Sequence, residues 1–259
     1  MYFGRSLCTQ IIEQTSSLTL AKLACLCAGL ITAICVGCST TSDFHNMDGA
    51  RLFQQGNYQV ALQRFQQAVA ASPQNPDAYY NLASTLHRVG VQSNNNKMLE
   101  QAESIYNQCL DLNDNHVECR RGLAVLLVET GREESAFKLM NNWVAQRPNL
   151  ADARIELARL YEEFGDLETA KLNLNQAVLV DQRNSRAWAA LGRLREQSGE
   201  QEQALANYQR SMSINPQQPA IGARIAALNR NITPPVNVVL PGTPGIRTVT
   251  VPPPARQRY

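Results

Sequence analysis

The chain has 259 residues and a formal net charge of +2, too small a surplus to mark a nucleic-acid-binding surface. Hydrophobic residues make up 44% and charged residues 18%, enough apolar material for one large domain or two small ones. The three histidines, His45, His87 and His116, form no spaced ligand pair, and no nucleophile–base set, HExxH, CxxC or phosphate-binding glycine loop occurs. Neither an enzyme nor a metal or cofactor site is expected.

The first element in chain order is apolar. After Lys22 comes LACLCAGLITAICVG, fifteen residues without a charge. This suits a signal-peptide core but falls short of the ~20 residues that span a bilayer. Five of the seven cysteines lie in the first 38 residues, the last of them at the end of this run. Val36-Gly37-Cys38 resembles the bacterial lipobox, with Cys35 standing where leucine is usual. The resemblance implies a signal peptide over 1–37, a diacylglycerol on Cys38, and a short lipidated linker over 38–41. An uncleaved anchor and simple secretion are the alternatives. Each buried methylene contributes about 0.8 kcal/mol, so two or three acyl chains make a stable tether. Ser39 after the cysteine resembles the pattern of lipoproteins held in the outer membrane of a bacterial envelope, facing the periplasm.

From residue 42 the chain repeats itself. GNYQVALQRFQQAVAASPQNPDAYYNLA is echoed by GDLETAKLNLNQAVLVDQRNSRAWAALG and GEQEQALANYQRSMSINPQQP. The units run 42–75, 76–116, 117–150, 151–184 and 185–218. One position holds Ala61, Ala102, Ala136, Ala170 and Ala204; four residues on stand Phe65, Tyr106, Met140, Leu174 and Tyr208. An earlier position is small throughout: Gly49, Ala83, Ala124, Ala158 and Gly192. A turn glycine recurs as Gly56, Gly90, Gly131, Gly165 and Gly199, and Pro73, Pro148 and Pro216 are placed to stop second helices. This pattern resembles the tetratricopeptide repeat, whose period is about 34 residues. It implies an all-α fold, a right-handed superhelical solenoid of five helix hairpins stacked on nearest neighbours. Residues 219–231 read as a capping helix, with Ile221, Ile225 and Leu228 turned to the last repeat and Arg224 and Arg230 to water.

Repeat two is seven residues too long, all between Gly90 and Ala102, and SNNNK there reads as a loop at the hairpin turn. Such a loop either carries recognition or is a tolerated insertion. Cys109 and Cys119 flank the junction of repeats two and three; a disulfide between them and a pair of buried thiols are both open.

In the family the first helix of each unit lines a groove for a protein or peptide partner. Carried onto this sequence, the groove positions include Tyr80, Asn81, Ser84, His87, Arg88, Arg121, Glu156, Arg159 and Arg193, mixed in charge with an acidic patch in repeat four. Simple solvation is the alternative reading of these charges. The set that clamps acidic chaperone C-termini is missing, since only Asn81 of the five required positions fits. Residues 232–259 are rich in proline, carry three arginines and no acid, and read as a disordered tail whose VNVVL and IRTVTV segments suit β-augmentation. The order of parts resembles the lipoproteins that escort a secretin in type IV pilus assembly. The expected function is a membrane-tethered scaffold in the envelope. The alternative is a structural spacer whose tail touches cell wall or another partner.

Overall fold

The computed structural model describes residues 41–232. The signal peptide over 1–37, lipidation at Cys38 and the Pro-rich tail beyond Ile232 lie outside them. Among the described residues all regular structure is helical: α1 over 41–54, α2 (Tyr58–Ala71), α3 (Pro76–Gln92), α4 (Asn96–Leu112), α5 (Val117–Glu129) and α6 (Glu133–Gln146). There follow α7 (Ala151–Glu163), α8 (Leu167–Val180), α9 (Ser185–Gln197), α10 (Gln201–Ile214) and α11 (Pro219–Ile232). The described chain divides into two compact units, one ending at Leu126 and the other starting at Leu127.

In the first unit α3 packs on α2 and α4; in the second each helix from α6 to α10 packs on the next, and α7 also meets α9. The alanines explain how. Ala61, Ala102, Ala136, Ala170 and Ala204 have no exposed surface at all. Only a methyl stands between the two helices of a hairpin there, so the backbones approach closely. The bulky residue one turn later fills the space beside that contact; Phe65, Tyr106, Met140, Leu174 and Tyr208 are each at most 3% exposed. Burying a side chain of this size contributes about 1.5–3 kcal/mol.

The small position and the plug are matched in size. A Cβ on Gly49 would lie 2.6 Å from the Phe65 ring, and one on Gly192 would lie 2.7 Å from the Tyr208 ring. Where the plug is Leu174, the small residue is Ala158. Tyr106 pairs with Ala83 but gains its space from Gly122, where a Cβ would sit 2.6 Å from the ring.

The turns share one device. Gly56, Gly131, Gly165 and Gly199 have φ between 73° and 80°, the left-handed region that glycine enters without steric cost. The residue after each donates its N–H five residues back: Asn57 to Leu52, Arg132 to Leu127, Asp166 to Tyr161 and Glu200 to Arg195, at 2.8–2.9 Å. This is a Schellman closure.

Repeat two corrects the expected turn glycine and shows where the insertion goes. Gly90 is not the turn glycine; it lies inside α3, buried, where a Cβ would meet Leu99 of α4 at 2.8 Å. The left-handed residue is Asn94 (φ 48°), and Asn95 N–H closes back to Gly90 at 2.8 Å. SNNNK does hold the hairpin turn, over Ser93, Asn94 and Asn95, but its Asn96 and Lys97 already belong to α4. Helices α3 and α4 run 17 residues each, against 13 in α5, α7 and α9 and 14 in α2, α6, α8 and α10. The insertion therefore adds about one turn to each helix and leaves the turn three residues long. Asn95 makes this work by capping α4, its side chain accepting from Met98 N–H at 3.3 Å.

The prolines do not set the helix ends. Pro73, Pro148 and Pro216 each fall two residues past their helix, and α4 and α8 stop in the same register with Asp114 and Gln182 there instead. At the far end α11 extends to Ile232, with Leu228 2% exposed and Ile221 and Ile225 packed beside Ala204 and Tyr208.

Gly192→Ala is expected to destabilise the second unit by about 1–3 kcal/mol, because the Tyr208 ring has nowhere to move. In a Tyr208→Leu background the same change should be neutral or stabilising, since helix propensity favours alanine by about 1 kcal/mol. Urea unfolding of the double-mutant cycle measures the coupling, and equal effects in both backgrounds would refute it.

Candidate functional site

The first helices of the repeats carry the predicted groove residues, and the two units use them differently. In the first unit α3 is capped by Asn75, whose side chain accepts from Asp77 N–H at 3.0 Å, and the helix buries Ala78, Leu82, Ala83 and Leu86. Tyr80, Ser84 and Arg88 recur every fourth residue and so share another face. Asn81 donates its amide to Asn46 Oδ1 on α1 at 2.8 Å, and its backbone carbonyl accepts from Ser84 and Thr85 hydroxyls at 3.1 and 2.7 Å.

Tyr80 is half-buried, its ring 5.9 Å from that of His116 and tilted 32°. Burial pushes its phenol above the ordinary value, with Glu118 adding to the shift and Arg121 opposing it. Arg121, half-buried on α5, is thus close enough to Tyr80 to act on it. Arg88 is exposed. Among the described residues Arg88 makes no ion pair and the Tyr80 hydroxyl makes no hydrogen bond. His87, expected in the groove, is instead only 8% exposed and packs edge-on against Tyr106 at 6.1 Å. One residue along a helix turns a side chain by about 100°, and this carries His87 inside.

In the second unit the charged residues are satisfied by each other. Arg186 on α9 reaches back to α7, donating to Asp152 and to Glu156, both at 2.8 Å. Arg159 also donates to Glu156 at 3.4 Å. Arg193 holds Glu162 with both terminal nitrogens, one of them at 2.8 Å. Arg224 of α11 donates to Glu196 at 3.4 Å, and the same carboxylate accepts from Tyr208 Oη at 2.8 Å. Burial, reinforced by that bond to Glu196, drives the Tyr208 phenol well above its usual range.

The acidic patch expected in repeat four is therefore not an open one. Glu156, predicted to line the groove, is 1% exposed beneath two arginines. Arg159 and Arg193 do stand on the surface, but paired. Around Glu156 a contact is costly to break, because that strands a buried carboxylate, whereas the exposed Arg193–Glu162 pair is worth little.

Two further residues hold the first unit's face. His116 Nε2 lies 3.0 Å from Asp77 Oδ1, and Nδ1 accepts Cys119 N–H at 3.2 Å, capping α5. Beside it Cys109 and Cys119 are joined by a disulfide between α4 and α5, their Cα atoms 6.5 Å apart. Sequence reading missed Asp77 and His116, and it missed Glu162 and Glu196 as partners. A signal existed for the latter pair: the ladder's inter-helix contacts fall 28 to 34 residues apart, close to one repeat.

Arg186→Ala should cost about 1–3 kcal/mol by stripping a buried carboxylate of its better partner. Adding Glu156→Gln to that variant should recover part of the loss. Chemical denaturation decides; a neutral Arg186→Ala would mean the ladder contributes nothing to stability.

Known families and structures agree with this geometry. Residues 49–90 match a family described as TPR repeat, and 134–194 and 185–218 match families described as tetratricopeptide repeat. No curated protein matches the chain by sequence. The fold is similar to a thermophilic TPR protein of Thermus thermophilus, with TM-score 0.53 and 22% identity over 72% of this chain and 98% of that one. PilF of Pseudomonas aeruginosa aligns with TM-score 0.47 and 16% identity, covering 76% of this chain and 86% of its own. YrrB, described as a TPR protein with an unusual peptide-binding site, gives 0.39 and 17%, covering 69% and 89%.

Proposed function

The chain belongs to the tetratricopeptide repeat family, and on that premise we propose that it holds a protein or peptide partner on the first-helix face of its N-terminal unit. One observation carries the choice of face. In the second unit the groove charges answer one another, whereas Tyr80 and Arg88 present an aromatic ring, a phenol hydroxyl and a guanidinium with polar capacity to spare. A partial ring, an amide in Asn81 and a cation suit an extended segment bearing a carboxylate, the ring supplying apolar contact and the cation a charge-assisted hydrogen bond.

The scaffold is tethered through lipid on Cys38 to the bacterial envelope, in the outer membrane facing the periplasm, and serves assembly of a secretion or pilus complex. The lipobox-like VGC and the order of its parts support this. The Cys109–Cys119 disulfide suits an oxidising compartment. A second reading, a spacer whose Pro-rich tail makes the contact, draws on the self-paired charges of the second unit, which leave that face little to offer a ligand.

Capture of partners from detergent-solubilised envelopes should lose its main band in the Tyr80→Ala/Arg88→Ala variant and keep it when residues 233–259 are deleted. The opposite result favours the spacer, and an unchanged partner list in both rejects this face. Mass spectrometry of the mature N-terminus should show acylated Cys38; a chain starting at Met1 without lipid would remove the tether.

A further inference from the structure

Where α3, α4 and α5 meet, one ligand atom from each of Cys109, His116 and Cys119 lies within 4.8 Å of the others. All three residues are buried, the cysteines completely and His116 to 7% exposure. In a tetrahedral site with sulfur at about 2.3 Å and nitrogen at about 2.0 Å, the ligand atoms stand roughly 3.3–3.8 Å apart. The imidazole nitrogen therefore already stands within about an ångström of that arrangement, while the two sulfurs, bonded to each other, reach it only by parting when the bond is reduced.

The imidazole is also prepared. Its Nε2 faces the Asp77 carboxylate, which requires N–H there, and Nδ1 accepts the Cys119 N–H, which requires a lone pair. That is the tautomer a metal needs, held by the carboxylate that metal-bound histidines ordinarily use as an outer partner. Cys119 sits in the first turn of α5, where the free amides stabilise a thiolate.

We infer that Cys109, His116 and Cys119 form a thiolate–imidazole site for a soft divalent ion such as Zn2+ when the disulfide is reduced. A dithiol supplies two electrons and two protons; the S–S bond breaks, two thiols form, and the dithiol becomes a disulfide. The ion then displaces both thiol protons, so each ion taken up releases two protons. Water completes the fourth position, and His116 exchanges the Cys119 N–H for the metal. Bond or ion, the staple between α4 and α5 is kept, and Tyr80 stays seated on His116.

The test uses the full chain with Cys8, Cys25, Cys27, Cys35 and Cys38 replaced by serine, reduced and freed of reductant without air. Co2+ titration should give one equivalent with the strong visible bands of a tetrahedral ion and a near-ultraviolet sulfur band, both abolished by excess Zn2+. The oxidised chain and Cys109→Ser should give neither, with Cys119→Ser as the second variant if the first loses its helical circular dichroism. His116→Gln should weaken binding at least tenfold and Asp77→Asn about tenfold. No tetrahedral spectrum in the reduced chain overturns the site; so does a spectrum that survives Cys109→Ser, or an affinity indifferent to His116→Gln.

Discussion

A single helix hairpin is too thin to hide its own apolar side, so everything in this protein depends on how closely two helices can lie. The limit is set by whatever stands between them, and here that is one methyl per hairpin. The five fully buried alanines fix that distance, and the plug one turn on fixes the angle by filling the space the close approach leaves. Because the plug varies from methionine to tyrosine, something opposite must vary with it, and the glycines at positions 49, 122 and 192 do so. The repeat is thus conserved in volume rather than in residue. Packing at crystal-like density permits nothing else.

That constraint also decides what the outward helix faces are free to do. With the hairpin interior devoted to packing, charge is left to the first-helix face. In the second unit the arginines of α9 meet the carboxylates of α7, so these neighbouring repeats are held in register by ion pairs as well as by apolar contact. In the first unit the same positions hold Asn, Ser, Tyr and Arg, and the helices are tied by an Asn46–Asn81 bond, an Asp77–His116 contact and a disulfide. These devices fix the helices while leaving Tyr80 and Arg88 uncommitted.

The fold was legible because its signal is written many times over. A period near 34, an alanine in all five copies and a plug at fixed offset need no knowledge of distant contacts. What stayed hidden was non-local. Gly90 looked like the fifth turn glycine because it kept the spacing, but Asn94 and Asn95 supplied the left-handed residue and the cap four and five residues later. SNNNK was legible as the turn by propensity, since Ser93, Asn94 and Asn95 do connect the helices; hidden was that the other inserted residues lengthen the helices on either side. The prolines looked like stop signals, yet helices without them stop in the same place. The site was harder still. His87 and Glu156 sit at groove positions, but their burial depends on Tyr106 and Arg186, which no local pattern reveals.

The lengthened hairpin has a consequence for how such chains can grow. An extra four residues in α3 and three in α4 add close to a full revolution to each rod, so the stripes that face the interior resume their phase on either side of the turn. Two extra residues in one rod would spin its stripe by about 200° and turn its oily side to water. Length in this architecture is consequently granular: a hairpin can be drawn out by steps of about seven, and intermediate lengths are closed to it.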